Sequence, residues 1–281
     1  MDISLLLFFI GSVLIFWGSN LLVDNSKLIA KNLGLSPIII GLTIIALGTS
    51  LPELVVSILA SLKGEPDVVI GNVMGSNISN IALVLPLILF IKPITINHSL
   101  ALKNFYYLLL ATALFVLLLI FNFFNYLSGL LLLLLFIYFI KNKIENIETS
   151  NYNSSLNNKI FKYSHLLYIL ISAIMLGYGA ELFISGAIGI ATFFGVPLIV
   201  ISLSVVALGT SLPELITSIV AIKKNEPNFV IGNIIGSNVI NIVFVLGTAI
   251  IINPINIHYS EISTSILILI LATLFFSFIS F

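Results

Sequence analysis

The feature that most constrains this chain is Gly48-Thr49-Ser50-Leu51-Pro52-Glu53, set inside an apolar run covering residues 38–62. That run is long enough to cross a bilayer, for which a helix needs about 20 apolar residues. Its middle nevertheless carries a glycine and a proline, which open or break helices, together with two hydroxyls and a carboxylate. Placing a carboxylate at bilayer depth costs about 2.5 kcal/mol or more, so an acid there reads as a functional group. The same six residues return as Gly209-Thr210-Ser211-Leu212-Pro213-Glu214, again inside an apolar run, residues 198–222. One such copy is compatible with chance; two are not.

The rest of the composition fits a membrane setting. Hydrophobic residues make up 59% of the chain and charged residues 8%, against roughly 25% charged in an ordinary soluble domain. The fold class expected is therefore an all-α polytopic membrane protein lying in a lipid bilayer. Eleven lysines balance eleven acids, which leaves no basic footprint and hence no expected nucleic-acid partner. No protein partner is implied either. With no cysteine, disulfides, thiolate nucleophiles and soft-metal sites are excluded. Met1-Asp2-Ile3 lacks the basic start of a cleaved signal peptide, so the first apolar run is read as a retained membrane helix.

Apolar runs and their polar boundaries predict helices at about 3–33, 37–62, 67–91, 100–121, 126–140, 164–193, 197–222, 228–252 and 260–281. The second half repeats the first at a constant offset of 161 residues. Between 41–80 and 202–241 about 24 of 40 positions are identical without a gap. Glu53 falls on Glu214, Gly71-Asn72 on Gly232-Asn233, and Gly75-Ser76-Asn77 on Gly236-Ser237-Asn238. The organisation expected is a first repeat at 1–140, a cytoplasmic linker at 141–163 rich in Asn, Ser and charge, and a second repeat at 164–281. A repeat of five helices, an odd number, forces the two copies to cross the membrane in opposite directions. The lysines agree: with the N-terminus outside, ten fall on the inner side and only Lys63 on the outer, a positive-inside bias. Inverted repeats with interrupted helices are characteristic of secondary transporters.

The motif's chemistry follows from its residue types. Pro52 has no N–H, so a carbonyl one turn earlier loses its partner, and Gly48 lets the backbone open there. Carbonyls near Ala46 and Thr49 are thus expected to face a cavity. Ser50 and Glu53, three apart, share a side of the helix. The second copy supplies Ala207, Thr210, Ser211 and Glu214. Ser76 and Asn80 lie four apart on one face, as do Ser237 and Asn241, beside glycines spaced for close helix approach. Two carboxylates, hydroxyls and carbonyls form an all-oxygen set suited to Ca²⁺, Mg²⁺ or Na⁺. Asp24 and Glu181, and His98, His165 and His258, lie near the ends of apolar runs and read as interfacial. No enzyme is indicated, because Ser50 has no His or Lys within the motif to activate it.

Gly-Thr-Ser-Leu-Pro-Glu with Gly-Asn-x-x-Gly-Ser-Asn, present twice in inverted halves, resembles the calcium/cation antiporter superfamily, and within it the prokaryotic sodium/calcium exchangers. The resemblance implies a ten-helix fold in which the first and sixth helices slide across a core to give alternating access. It implies Na⁺ and Ca²⁺ as transported substrates, with no cofactor, in the cell membrane. By position, Glu53 and Glu214 with the carbonyls of Thr49 and Thr210 would hold Ca²⁺. Na⁺ would use these with Ala46, Ser50, Ser76, Ala207, Ser211 and Ser237, and Asn80 and Asn241 would complete the centre. The family also implies three Na⁺ per Ca²⁺, one net charge moved per cycle. Some relatives place Asp where this chain has Asn241. The chain ends where the tenth helix of that fold would begin, so about nine membrane helices are expected. A proton/divalent-cation antiporter for Ca²⁺, Mg²⁺ or Mn²⁺ is the alternative reading, and a cation channel a further one.

Overall fold

The computed structural model describes residues 2–94, 98–145, 163–196, 207–256 and 259–279. Within them the chain is helical: α1 (Asp2–Leu33), α2 (Pro37–Thr49), α3 (Leu51–Lys63), α4 (Pro66–Ile91), α5 (His98–Ile120), α6 (Tyr126–Glu145), α7 (Tyr163–Phe193), α8 (Ala207–Thr210), α9 (Leu212–Lys223), α10 (Pro227–Ile252) and α11 (Tyr259–Ile279). Among the described residues five spans are long and apolar enough to cross a membrane: α1, α4, Tyr126–Lys143 within α6, Ser164–Phe193 within α7, and α10. The pair α2 and α3 makes a sixth if taken together, bent by 46° at its break. Large apolar side chains such as Phe9, Trp17 and Phe90 stand exposed on these helices, as lipid-facing residues do. The protein is a multi-pass membrane protein. The linker residues 146–162, the start of the seventh expected helix at 197–206, and His258 lie outside the described residues.

Helix ends follow local chemistry. After α1 and α7 the chain turns through Gly34 (φ 65) and Gly195 (φ 73), and after α3 through Gly64 (φ 71). Glycine enters this left-handed region without a Cβ penalty and so stops helices there. The α9 stop uses Asn225 (φ 58) instead, the non-glycine residue type that best tolerates the conformation. At both Gly64 and Asn225 the next amide closes the turn, Glu65 N–H on the Ala60 carbonyl and Glu226 N–H on that of Ala221, each at 2.9 Å. The four stops keep the offset of the sequence repeat, 34 with 195 and 64 with 225. One boundary departs from expectation. Helix α6 runs to Glu145, five residues past the predicted end at 140. Lys143 is buried there, because its ammonium donates to Asn104 Oδ1 at 2.7 Å and sits 3.9 Å from the centre of the Tyr107 ring. Partners for the charge let the helix continue into what composition alone marks as polar linker.

The described residues fall into two compact units, 1–52 with 147–233 and 53–146 with 234–281. In the first unit α1 and α7 pack antiparallel along a glycine seam. A Cβ on Gly11 would meet the Gly179 carbonyl at 2.7 Å, one on Gly179 would meet Leu14 at 2.9 Å, and one on Gly186 would meet the Ser4 carbonyl at 2.6 Å. Backbone lies directly on backbone. Lys27 pairs with Glu226 at 2.6 Å and Lys224 with Asp24 at 2.7 Å, tying α1 to the turn between α9 and α10. Asp24 is largely exposed. His165 meets Asn25 through Nδ1 at 3.0 Å. In the second unit α10 packs on α6, and α11 on α4 and α5. Phe136 stacks on Phe244, with centroids 4.5 Å apart, and Gly129 and Gly247 keep α6 and α10 close.

Candidate functional site

Both repeated motifs break their helices, and they break at the same residue. Ser50 (φ −84, ψ 7) separates α2 from α3, and Ser211 (φ −90, ψ 6) separates α8 from α9. In each copy the Pro follows at the second position of the new helix, where its missing N–H removes no intrahelical bond. Glu53 and Glu214 therefore sit in the first turn of α3 and α9. The positive end of each helix dipole lies next to the carboxylate. Both acids are fully buried, as are Thr49, Ser50, Ser76, Asn80, Ser211, Ser237 and Asn241.

In the first unit, the Ser50 hydroxyl donates to Glu214 Oε1 at 3.5 Å. The sequence placed Ser50 beside its own Glu53; the structure pairs it with the acid of the other motif. The Thr49 hydroxyl donates to Asn233 Oδ1 at 3.1 Å and approaches the Ala46 carbonyl at 3.3 Å. That Ala46 carbonyl also accepts the Ser50 N–H at 3.0 Å. The expectation of a bare carbonyl at Ala46 is thus not met in this conformation, since the last turn of α2 closes its hydrogen bond before the break. Among the described residues the buried Ser211 hydroxyl has no hydrogen-bond partner. Ala207 and Thr210 form the short helix α8 that leads into the second break. Further along, Ser19 of α1 and Thr217 of α9, both buried, share a hydrogen bond of 3.0 Å.

In the second unit, Asn72 donates from Nδ2 to the Glu53 carbonyl and to the Ser57 hydroxyl, each at 2.9 Å. Asn72 thereby pins the first turn of α3, in which Glu53 stands. Asn80 and Asn241, the two expected central amides, each begin a π-helical turn, Asn80–Val84 in α4 and Asn241–Leu246 in α10. Such single π turns inside α-helices concentrate at functional sites. Pro86 follows the first of them, and a wider turn relieves the clash of its ring with the preceding carbonyl. A third π turn, Gly41–Ile45, lies in α2. Sequence offers no periodic signal for an inserted residue, so none of the three was expected.

Four asparagines meet in the second unit. Asn80 Nδ2 donates to Asn238 Oδ1 at 3.2 Å, Asn241 Nδ2 to Asn77 Oδ1 at 3.2 Å, and Asn77 Nδ2 to the Asn238 carbonyl at 3.1 Å. The first two bonds exchange under the 161-residue offset, 80 with 241 and 238 with 77. Asn77 and Asn238 belong to the doubled Gly-Asn-x-x-Gly-Ser-Asn motif, and their identity in both copies was the signal available for them. Glycine packing divides unequally. A Cβ on Gly232 would press on the Ile38 carbonyl and lie 2.9 Å from Gly41 Cα, so there the small residues do bring α10 against α2. Among the described residues nothing lies within 4 Å of the corresponding position on Gly71 or Gly75.

Comparison with known proteins agrees with this geometry. A profile of the sodium/calcium exchanger protein family matches residues 3–144 and 164–281. The putative antiporter CaxA of Alkalimonas amylolytica is 34% identical, covering 73% of this chain and 67% of its own. The sodium/calcium exchanger MaX1 of Methanosarcina acetivorans is 30% identical, covering 74% and 71%. The solved structure of the sodium/calcium exchanger from Methanococcus jannaschii superposes with a TM-score of 0.79 at 32% identity, over 98% of this chain and 90% of that one. These relatives carry the names of transporters, not enzymes. The chain belongs to the sodium/calcium exchanger protein family.

Proposed function

We propose that this protein exchanges Na⁺ for Ca²⁺ across the cell membrane by alternating access, moving three Na⁺ for each Ca²⁺. The observation that carries the proposal is the pair of fully buried carboxylates, Glu53 and Glu214, each in the first turn after a helix break in a multi-pass membrane protein. Buried charge at such positions is stable when a counter-charge offsets its desolvation. A hard divalent cation held by oxygen ligands supplies that counter-charge.

Each residue then has a task. Glu53 and Glu214 provide two negative charges, so one Ca²⁺ leaves the loaded centre neutral, and three Na⁺ leave it with one positive charge. Ser50 gives its proton to Glu214 and keeps its lone pairs, so both residues can face the same ion. Thr49, Thr210 and Ala207 contribute carbonyls at the breaks, the Ala46 carbonyl offers the lone pair left beside its bond from Ser50 N–H, and Ser76, Ser211 and Ser237 contribute hydroxyls for Na⁺. Asn80 and Asn241 contribute neutral carbonyl oxygens, which leaves no third carboxylate to recruit K⁺.

The inverted repeat is supported by three observations: the shared offset of the helix stops, the reciprocal asparagine bonds, and the antiparallel packing of α1 on its counterpart α7. A seam of glycines has few interdigitating side chains, which suits helices that slide during the cycle. Calcium uptake into proteoliposomes tests the function. An outward Na⁺ gradient is expected to drive uptake by the wild type and none by Glu214→Gln. Uptake driven by a proton gradient in the absence of Na⁺ would favour the proton-coupled alternative instead.

A further inference from the structure

We infer that Asn77 and Asn238 are positioning residues that aim the side-chain oxygens of Asn241 and Asn80 at the transported cation. The inference rests on the exchanger reading and adds residues to it. An asparagine amide has a donor end and an acceptor end of nearly equal size. An amide reversed at a cation site turns an NH₂ toward the ion and repels it. Something must therefore fix which end faces inward.

The four-asparagine cluster does so through a chain of forced assignments. The backbone carbonyl of Asn238 is only an acceptor, so the Asn77 atom 3.1 Å from it is the NH₂. The other end of Asn77 is then its oxygen, and the Asn241 atom 3.2 Å from that oxygen must be NH₂. Asn241 Oδ1 is left buried and, among the described residues, without a hydrogen-bond partner. Asn238 Oδ1 accepts from Asn80 Nδ2, and Asn80 Oδ1 is buried and, among the described residues, unpartnered. All four asparagines are at most 1% exposed, so water does not supply the missing bonds from bulk. Two bare carbonyl oxygens in a protein interior are costly unless a ligand completes them, and a hard cation is the ligand their chemistry suits. The two sides differ in one respect. Asn77 is anchored on a backbone carbonyl, whereas Asn238 Nδ2 has no partner among the described residues, so the orientation of Asn241 is the more firmly held.

A double-mutant cycle on the full-length purified protein tests this, with Ca²⁺ alone as the probe in equilibrium binding. Asn77→Leu keeps the volume and removes both polar ends. It is expected to weaken Ca²⁺ binding by about 10- to 100-fold, as loss of an outer partner of a metal ligand does. In an Asn241→Asp background both ligand atoms are oxygen and there is no wrong end to present. There Asn77→Leu is expected to cost less than about threefold, within the scatter of independent sites. An equal loss in both backgrounds would show that Asn77 acts only through packing and would overturn the inference. Should Asn77→Leu not fold, the same cycle with Asn238→Leu and Asn80→Asp is read by the same criterion. Wild-type protein that binds no Ca²⁺ would overturn the exchanger reading and this inference with it; wild-type binding without coupling in the cycle would overturn this inference alone.

Discussion

Glu214 carries half of the negative charge on which the proposed exchange depends. It is fully buried, stands at the start of α9, and receives the Ser50 hydroxyl from the other motif. Replacing it with Gln keeps the shape and removes the charge. Glu214→Gln and Glu53→Gln are each expected to weaken Ca²⁺ binding by about 100-fold, roughly 2.7 kcal/mol, and to abolish exchange while the protein stays monodisperse. Ca²⁺ titration of the purified variants measures this, and retained exchange in either one would remove these acids from the site. The ion pairs predict little by contrast. Asp24 and Lys27 are substantially exposed, so Asp24→Asn is expected to lower stability by less than about 1 kcal/mol in thermal unfolding. At this scale the sequence was informative about residue identity. Buried acids and hydroxyls are rare in apolar runs, and the duplication marked them. Partner choice was not legible: helical spacing puts Ser50 and Glu53 on one side, but nothing in it points to the Ser50 bond with Glu214.

At the scale of elements, helix spans were largely readable, because twenty apolar residues bounded by Lys, Pro and Gly leave few alternatives. The breaks were readable too, from Gly and Pro in mid-span. The π turns and the extension of α6 were not. The first depend on an inserted residue with no compositional mark, and the second on a tertiary partner, Asn104, for Lys143. Two predictions belong here. Gly64→Val puts a β-branched residue at φ 71 and is expected to cost about 1–2 kcal/mol; Asn225→Gly, at the equivalent stop, is expected to change stability by much less. Thermal unfolding in detergent separates them. In the α1–α7 seam, Gly186→Val drives a side chain into the backbone of Ser4 and Phe8. It is expected to slow exchange by at least about tenfold and to lower the unfolding temperature, whereas Ca²⁺ affinity, set at other residues, changes little. A loss of affinity equal to the loss of rate would contradict a seam that serves motion.

For the whole molecule, the proposed exchange requires two related halves of opposed orientation and one centre that serves both ions. The opposed orientation has its own check. Single cysteines at Glu65 and Lys223, introduced into a chain without any, are expected to react with an impermeant thiol reagent from opposite sides of the membrane. Coupled exchange itself is tested most directly by Ca²⁺ flux in proteoliposomes with the Na⁺ gradient and the membrane potential both set. Uptake is expected only with Na⁺ inside and to reverse when the Na⁺ gradient is reversed. The potential at which net flux vanishes should shift as three Na⁺ per Ca²⁺ requires, with or without K⁺. Calcium movement that follows voltage alone and needs no counter-ion, or that proceeds unchanged without Na⁺, would contradict it.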